Sequence, residues 1–287
     1  MGIIFGILSA LTVSFQNVLF RFLEETQTVH INWFRCGFGA IILAGLVTLF
    51  NAWVIPPWQF FGLVILISLP FELLNSQYFI KAYQNSPQSL VGPLFSLTAV
   101  LLVPLGYVFN HEVPSVFGFV GVISVVIGPF FLGNGHGANI FQSYVGVFRE
   151  KGSFYILLAS LFASITVTTA KFTLNYASPI LTAFYVVTAM FIAISVGLIF
   201  KGNNPFMGRS LKDLKMIIGG SLLFGISNVF HYLGLSKLNS AYFISIKRLS
   251  VLFDVILGSA IHKEDNFIPR LAGALIMVAG VILIAIG

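Results

Sequence analysis

Two stretches decide the fold: LGYVFNHEVPSVFGFVGVISVVIG at 105–128 and LGSAIHKEDNFIPRLAGALIMVAG at 257–280. With a shift of 152, Leu105-Gly106 falls on Leu257-Gly258, Glu112 on Glu264, Gly121 on Gly273 and Gly128 on Gly280. That many glycine and glutamate coincidences in one window mark an internal repeat. Asn75 and Asn228 correspond at a nearly equal shift. In both stretches a short polar turn holding a glutamate separates two apolar runs.

Apolar runs of this kind fill the chain. Of its 287 residues, 57% are hydrophobic and 8% charged, and 31 are Phe; the mean hydropathy is +0.98. Ordinary soluble domains carry about 25% charge, and a soluble surface cannot hide this much apolar area. A soluble enzyme, a secreted binding module and a disordered chain are therefore excluded. A bilayer core of about 30 Å takes roughly 20 apolar residues per helix. A membrane β-barrel would alternate polar and apolar positions, whereas runs such as 40–50 and 271–286 are continuous. The fold class is an all-α integral membrane protein.

Polar and proline-bearing breaks predict ten transmembrane helices near 3–20, 31–50, 58–80, 89–109, 114–132, 153–172, 179–200, 214–236, 241–261 and 268–286. The glycine-rich segment 133–152 divides them into repeats at 1–132 and 153–287. Each repeat holds an odd number of spans, so the second must be inserted upside down. Inverted five-helix repeats are an architecture of alternating-access carriers, with substrate bound near the midplane. The linkers after odd-numbered spans carry most of the basic residues, among them Arg21, Lys81, Lys151, Lys201, Lys212 and Lys215. Those after even-numbered spans carry only Lys171 and Lys237. The positive-inside rule then places both termini outside.

The two repeat ends resemble the EamA-type members of the drug/metabolite transporter superfamily, which set a glutamate-bearing turn before a glycine-bearing last helix. Further echoes are INWFRCGFGAIIL with its embedded Arg35, the Pro56-Pro57 turn, and the second-half stretch with Lys171 and ASPILTAFY. The resemblance covers essentially the whole chain. It implies a ten-span carrier but no particular substrate, and it implies cytoplasmic termini, against the charge count. In span nine, SAYFISIKRLSVLF sets Lys247 beside Arg248. This pair looks like the phosphate-binding pair of the plastid sugar-phosphate translocators.

Charge at bilayer depth costs about 2.5–3.5 kcal/mol or more and tends to face the bundle interior. Five residues stand at such positions: Arg35, Glu72, Lys247, Arg248 and Asp254. Lys247 and Arg248 lie about 10 Å into their span, where Arg forks onto phosphate or carboxylate and Lys acts as a point charge. The plainer reading is an ion pair with Glu72 or Asp254. Glu72, Asn75 and Phe79 share a helix face, which suits either a coupling carboxylate or a structural partner for Arg35 or Lys247. Asn228, His231 and Tyr232 share another face, where His231 is a proton-coupling candidate or an ordinary interior histidine. Asn17 and Tyr242 complete the substrate-binding candidates. Ser14, Gln16, Thr166, Thr168 and Thr169 serve either substrate or helix–helix hydrogen bonds. Arg35, near a span end, reads as structural or interfacial. Glu112 and Glu264 read as caps at helix N-termini. Gly118, Gly121, Gly273 and Gly280 read as close-packing positions, and Pro70, Pro93, Pro104 and Pro129 as kinks.

The resulting expectation is a secondary transporter moving a small polar metabolite, with an anionic substrate suggested by the Lys-Arg pair. The alternatives are an exporter or exchanger of amino acids, cationic or drug-like compounds, and a flippase for a lipid-linked substrate. A membrane enzyme is disfavoured: the nine acidic residues form neither a DDxxD cluster nor an HExxH motif. No GxxxxGK[ST] motif is present for direct ATP drive. Lone Cys36 forms no internal disulfide, and no cofactor or metal site is expected. The scattered basic residues argue against nucleic acid. The expected partners are a small-molecule substrate and the lipid bilayer, with proton coupling as one option, in a monomer or homodimer. The expected location is a prokaryotic inner membrane.

Overall fold

A computed structural model describes residues 1–23, 26–110, 115–128, 150–206, 210–238, 240–262 and 267–286. Among them run α1 (Gly2–Arg21), α2 (Thr28–Leu49), α3 (Trp58–Asn85), α4 (Gln88–Leu94), α5 (Leu97–Asn110) and α6 (Val116–Ile127). The second half holds α7 (Lys151–Thr173), α8 (Pro179–Phe200), α9 (Leu211–Lys237), α10 (Ser240–Lys247), α11 (Ser250–His262) and α12 (Phe267–Ile286). Joining α4 to α5 and α10 to α11 makes ten spans. The helices α1, α2, α3, α7, α8 and α9 are each long and apolar enough to cross a membrane. Glu112, Glu264 and residues 133–149 of the central segment lie outside the described residues.

The helix ends follow from local chemistry. Ser210 and Asp213 form a reciprocal capping box at the start of α9, and Ser115 accepts from the Gly118 N–H at the start of α6. Pro179 opens α8, where its missing N–H costs nothing. Within α3, Leu63–Ser68 widens into a π-helical turn just before Pro70. Proline offers no N–H and its ring crowds the carbonyl four residues back, so the helix relaxes by lengthening its turn.

The packing carries the pseudo-two-fold symmetry. The most extensive pairs are α1 with α9, α3 with α7 and α6 with α12, all between halves. Exchanging the halves converts the first pair into the second and returns the third to itself. In the third pair, a Cβ added at Gly280 would lie 2.7 Å from the Gly121 carbonyl oxygen, and one at Gly128 would lie 3.1 Å from that of Gly273. The repeated glycines thus meet crosswise inside the chain, where close backbone approach drives helix association in lipid. Two basic residues repeat the pattern. Arg21 ends α1 and donates to the Gln84 carbonyl near the end of α3 at 3.2 Å. Lys171, near the end of α7, donates to the Leu235 and Leu238 carbonyls at the end of α9, at 2.8 and 2.7 Å. Each neutralises carbonyls that a helix C-terminus leaves unsatisfied.

Hydrogen bonds gather the basic linkers at one end of the bundle. Gln84 donates to the Leu23 and Thr26 carbonyls, the Ser86 hydroxyl pairs with Glu150, and the Trp33 indole reaches Ser195 at 2.8 Å. The ends of α1, α3 and α8 and the starts of α2 and α7 therefore share a side. Arg21, Lys151 and Lys201 lie with them.

Candidate functional site

Both spans four and nine break. The chain turns at Phe95-Ser96 between α4 and α5, and at Arg248-Leu249 between α10 and α11. At each turn the backbone tightens to i→i+3 bonds: Thr98 N–H to Phe95 O and Ala99 to Ser96 in the first, Val251 to Arg248 and Leu252 to Leu249 in the second. The 152 shift sets Phe95 and Ser96 opposite Lys247 and Arg248, so the breaks are equivalent to within one residue. They also meet. The Arg248 guanidinium carbon stands 4.2 Å from the centre of the Phe95 ring, a cation–π distance. A Cβ added at Gly92 would come within 2.7 Å of an Asp254 carboxylate oxygen, so a bare backbone is needed where the spans cross.

A cavity of about 150 Å³ opens beside this crossing. Eight sequence-predicted residues line it: Glu72, Asn75 and Phe79 from α3, Asn228, His231 and Tyr232 from α9, and Lys247 and Arg248 from span nine. Gln16, Arg35, Ser68 and Thr166 line it too. Ser68, which ends the π turn in α3, and Glu72, one turn further on, both stand in its wall. The volume matches a benzene-sized occupant and falls short of the roughly 300–1,000 Å³ of drug-sized pockets.

Lys247 Nζ lies 2.9 Å from His231 Nδ1, a hydrogen bond whose direction follows the histidine tautomer. Asn75 Nδ2 donates to Glu72 Oε2 at 3.2 Å, with the Thr166 hydroxyl beside the carboxylate. Asn228 instead bonds the Phe224 carbonyl of its own helix at 2.9 Å. Phe79 packs against Phe95 and Tyr83 with tilted rings, their centres 5.0 and 4.8 Å away. Several polar atoms are buried without a partner: Arg248 Nε, Arg35 Nε and Nη1, and Asn75 Oδ1. All four belong to residues that line the cavity, and other unpartnered buried atoms, such as those of Asn32 and Ser96, lie elsewhere.

Two sequence readings place differently. Arg35, read as structural or interfacial, is 5% exposed. It lies over the Phe224 ring at 4.1 Å and faces the cavity. Its helix begins at Thr28, which sets it about two turns deep. Asn17, read as a substrate contact, is turned away from the cavity. Its amide donates to Asp254 at 3.1 and 3.3 Å, together with the Ser14 hydroxyl at 2.7 Å and the Tyr83 hydroxyl at 2.9 Å. Asp254, 1% exposed, thus ties span nine to α1 and α3. The side chain of Tyr242 lies outside the described residues.

The hydroxyls of α7 divide. Thr166, Thr168 and Thr169 all bond backward to their own helix, at 3.0, 2.9 and 3.0 Å, and of the three Thr166 is the one that also lines the cavity. Among the described residues no cluster of His, Cys, Asp and Glu could hold a metal ion.

Comparison with known proteins agrees with this architecture. A solved crystal structure at 12% identity superposes with a TM-score of 0.69, covering 98% of this chain and 97% of its own. No curated protein matches the chain. The EamA-like transporter family matches at residues 1–134 and again at 150–286. On that double match the chain belongs to the EamA-like transporter family, within the drug/metabolite transporter superfamily, as a multi-pass membrane protein of two EamA units.

Proposed function

We propose that the protein is a secondary carrier that moves a small anionic metabolite by alternating access. Its repeats span 1–132 and 153–287, joined by the linker 133–152. The carrying observation is the charge of the central cavity. Among the described lining residues Arg35, Lys247 and Arg248 face it against the one carboxylate of Glu72, with three guanidinium nitrogens unpartnered. A phosphate or carboxylate offers acceptors for those groups. Lys247, Arg248, Arg35, Asn75, Tyr232 and Phe79 would then contact the substrate. The position between the halves supports the same reading, since a rocking carrier exposes a central site to each side in turn.

A zwitterionic substrate such as an amino acid is the second reading. Glu72 favours it, because a carboxylate in the same cavity would take an ammonium group. The test begins with thermal shift of the purified protein against sugar phosphates, carboxylates, amino acids and quaternary amines, since a ligand of the folded state raises its apparent stability. Counterflow in proteoliposomes then follows the best ligand. Saturable exchange that fails in Lys247→Ala upholds the anion reading. Stabilisation by cationic compounds alone would sink it, and an amino-acid preference lost in Glu72→Gln would select the zwitterion. Uptake with and without a pH gradient separates proton coupling from exchange.

A further inference from the structure

A second concavity lies away from the central site, between α2 and α8, which are equivalent spans of the two halves. This groove of about 420 Å³ is lined by Trp33, Phe34, Phe38, Phe184, Phe191 and Phe206, with small Gly37, Ala40 and Ala44 forming its floor. Among the described lining residues Thr188 supplies the one hydroxyl, and the Trp33 N–H is already bonded to Ser195. Ile41, on its rim, is 68% exposed, so the groove opens outward rather than into the bundle.

Its length and the charge at that end of the bundle bear on what fills it. From Trp33 to Ala44 the groove follows α2 for about 16 Å at 1.5 Å per residue. That matches one leaflet of a hydrocarbon core about 30 Å thick. One end is closed by Phe206 from the α8–α9 loop, whose ring meets Trp33 and Phe34 edge-on at 5.5 and 5.1 Å. The same loop and the first turns of α9 present exposed Lys201, Lys212 and Lys215. The slot is as long as one lipid chain and ends in an indole and a phenyl ring, on the side of the bundle where Lys201 follows α8 and Lys212 and Lys215 lie in the first turns of α9, an arrangement complementary to a lipid with a negatively charged headgroup. We infer that this groove is a binding site for an anionic phospholipid, seated at the seam between the two halves. Sodium-driven, proton-driven and exchange mechanisms are all compatible with it, and it does not depend on the nature of the transported substrate.

Trp33 provides the probe. Replacing Trp53 and Trp58 by Phe leaves it as the sole tryptophan. Its fluorescence is then read in liposomes containing chain-brominated phosphatidylglycerol or chain-brominated phosphatidylcholine at equal mole fraction. Quenching by the anionic lipid should be at least about twofold stronger. The excess should shrink in Lys201→Gln/Lys212→Gln, whose exposed substitutions leave the helices intact, and should vanish in Ala40→Phe, which fills the floor. Equal quenching by the two lipids would mean ordinary annular contact and overturn the site. So would quenching that falls as protein density rises, which would assign the groove to a second copy of the chain. Either failure leaves the central cavity and its transport reading untouched.

Discussion

Span four turns at Phe95 and Ser96, and span nine turns at Arg248 and Leu249. The two share one backbone device, i→i+3 bonding at equivalent positions, and they differ in chemistry. The first break offers an aromatic face and a buried hydroxyl that bonds to nothing. The second offers a guanidinium, with an ammonium before it and a carboxylate six residues on. Interrupted helices free backbone groups at membrane depth and are a common way to build carrier sites. The pair shows that duplication supplied the interruption twice, while charge entered one copy only. The apolar copy became the platform on which the charged copy rests, with Phe95 beneath Arg248 at 4.2 Å.

The strongest way to break this comparison is to remove the anchor of the charged copy. Asp254 accepts from Ser14, Asn17 and Tyr83 and acts electrostatically on Arg248. Asp254→Ala should lower unfolding stability by about 3–5 kcal/mol, the scale for stranding one side of a buried charged network. Asp254→Asn, which keeps one carbonyl acceptor, should lose less. Steric-trap or denaturant unfolding in micelles measures both, and a loss under about 1 kcal/mol for the alanine variant would show that the tie to α1 and α3 is incidental.

Next comes the charge itself. Arg248→Ala should weaken the best ligand of the screen by about 2–5 kcal/mol, or some thirtyfold and more. Arg248→Lys should recover part of this, since it keeps the charge and loses the flat stack and the fork. Isothermal titration reads the affinity. Unchanged binding in the alanine variant would move the substrate away from span nine.

The sequence makes the ten spans legible because hydropathy integrates over twenty residues and tolerates local detail. It makes the repeat legible because Gly121, Gly128, Gly273 and Gly280 sit where helices must touch, and only glycine allows the approach. The break in span nine is invisible for the converse reason. Lys247-Arg248-Leu249-Ser250 contains neither proline nor glycine, and the apolar run resumes without a change of period. Span four hints at its break only through Pro93. The cavity face of α3 could be read from helical spacing, since Glu72, Asn75 and Phe79 lie on one helix. Arg35 could not, because its depth depends on α2 beginning at Thr28, before the first strongly apolar residues. Nor could the partners of Asp254, which lie 171 to 240 residues away in sequence.

The smaller effects sharpen the division of labour between the copies. Phe95→Leu keeps apolar bulk and removes the ring face. It should cost about 1 kcal/mol in ligand affinity, within the usual range for a partly desolvated cation–π contact, because Arg248 loses its support rather than its charge. A substantially larger loss would mean that the ring itself touches the substrate. Ser96 is the repeat equivalent of Arg248, and its buried hydroxyl has no partner. Ser96→Ala removes an unsatisfied group without opening a large cavity, so stability should hold or rise slightly and affinity should stay within about 0.5 kcal/mol of the parent. If Ser96→Ala instead weakened binding as Arg248→Ala does, the first break would hold substrate as directly as the second, and the two copies would share the site rather than divide it.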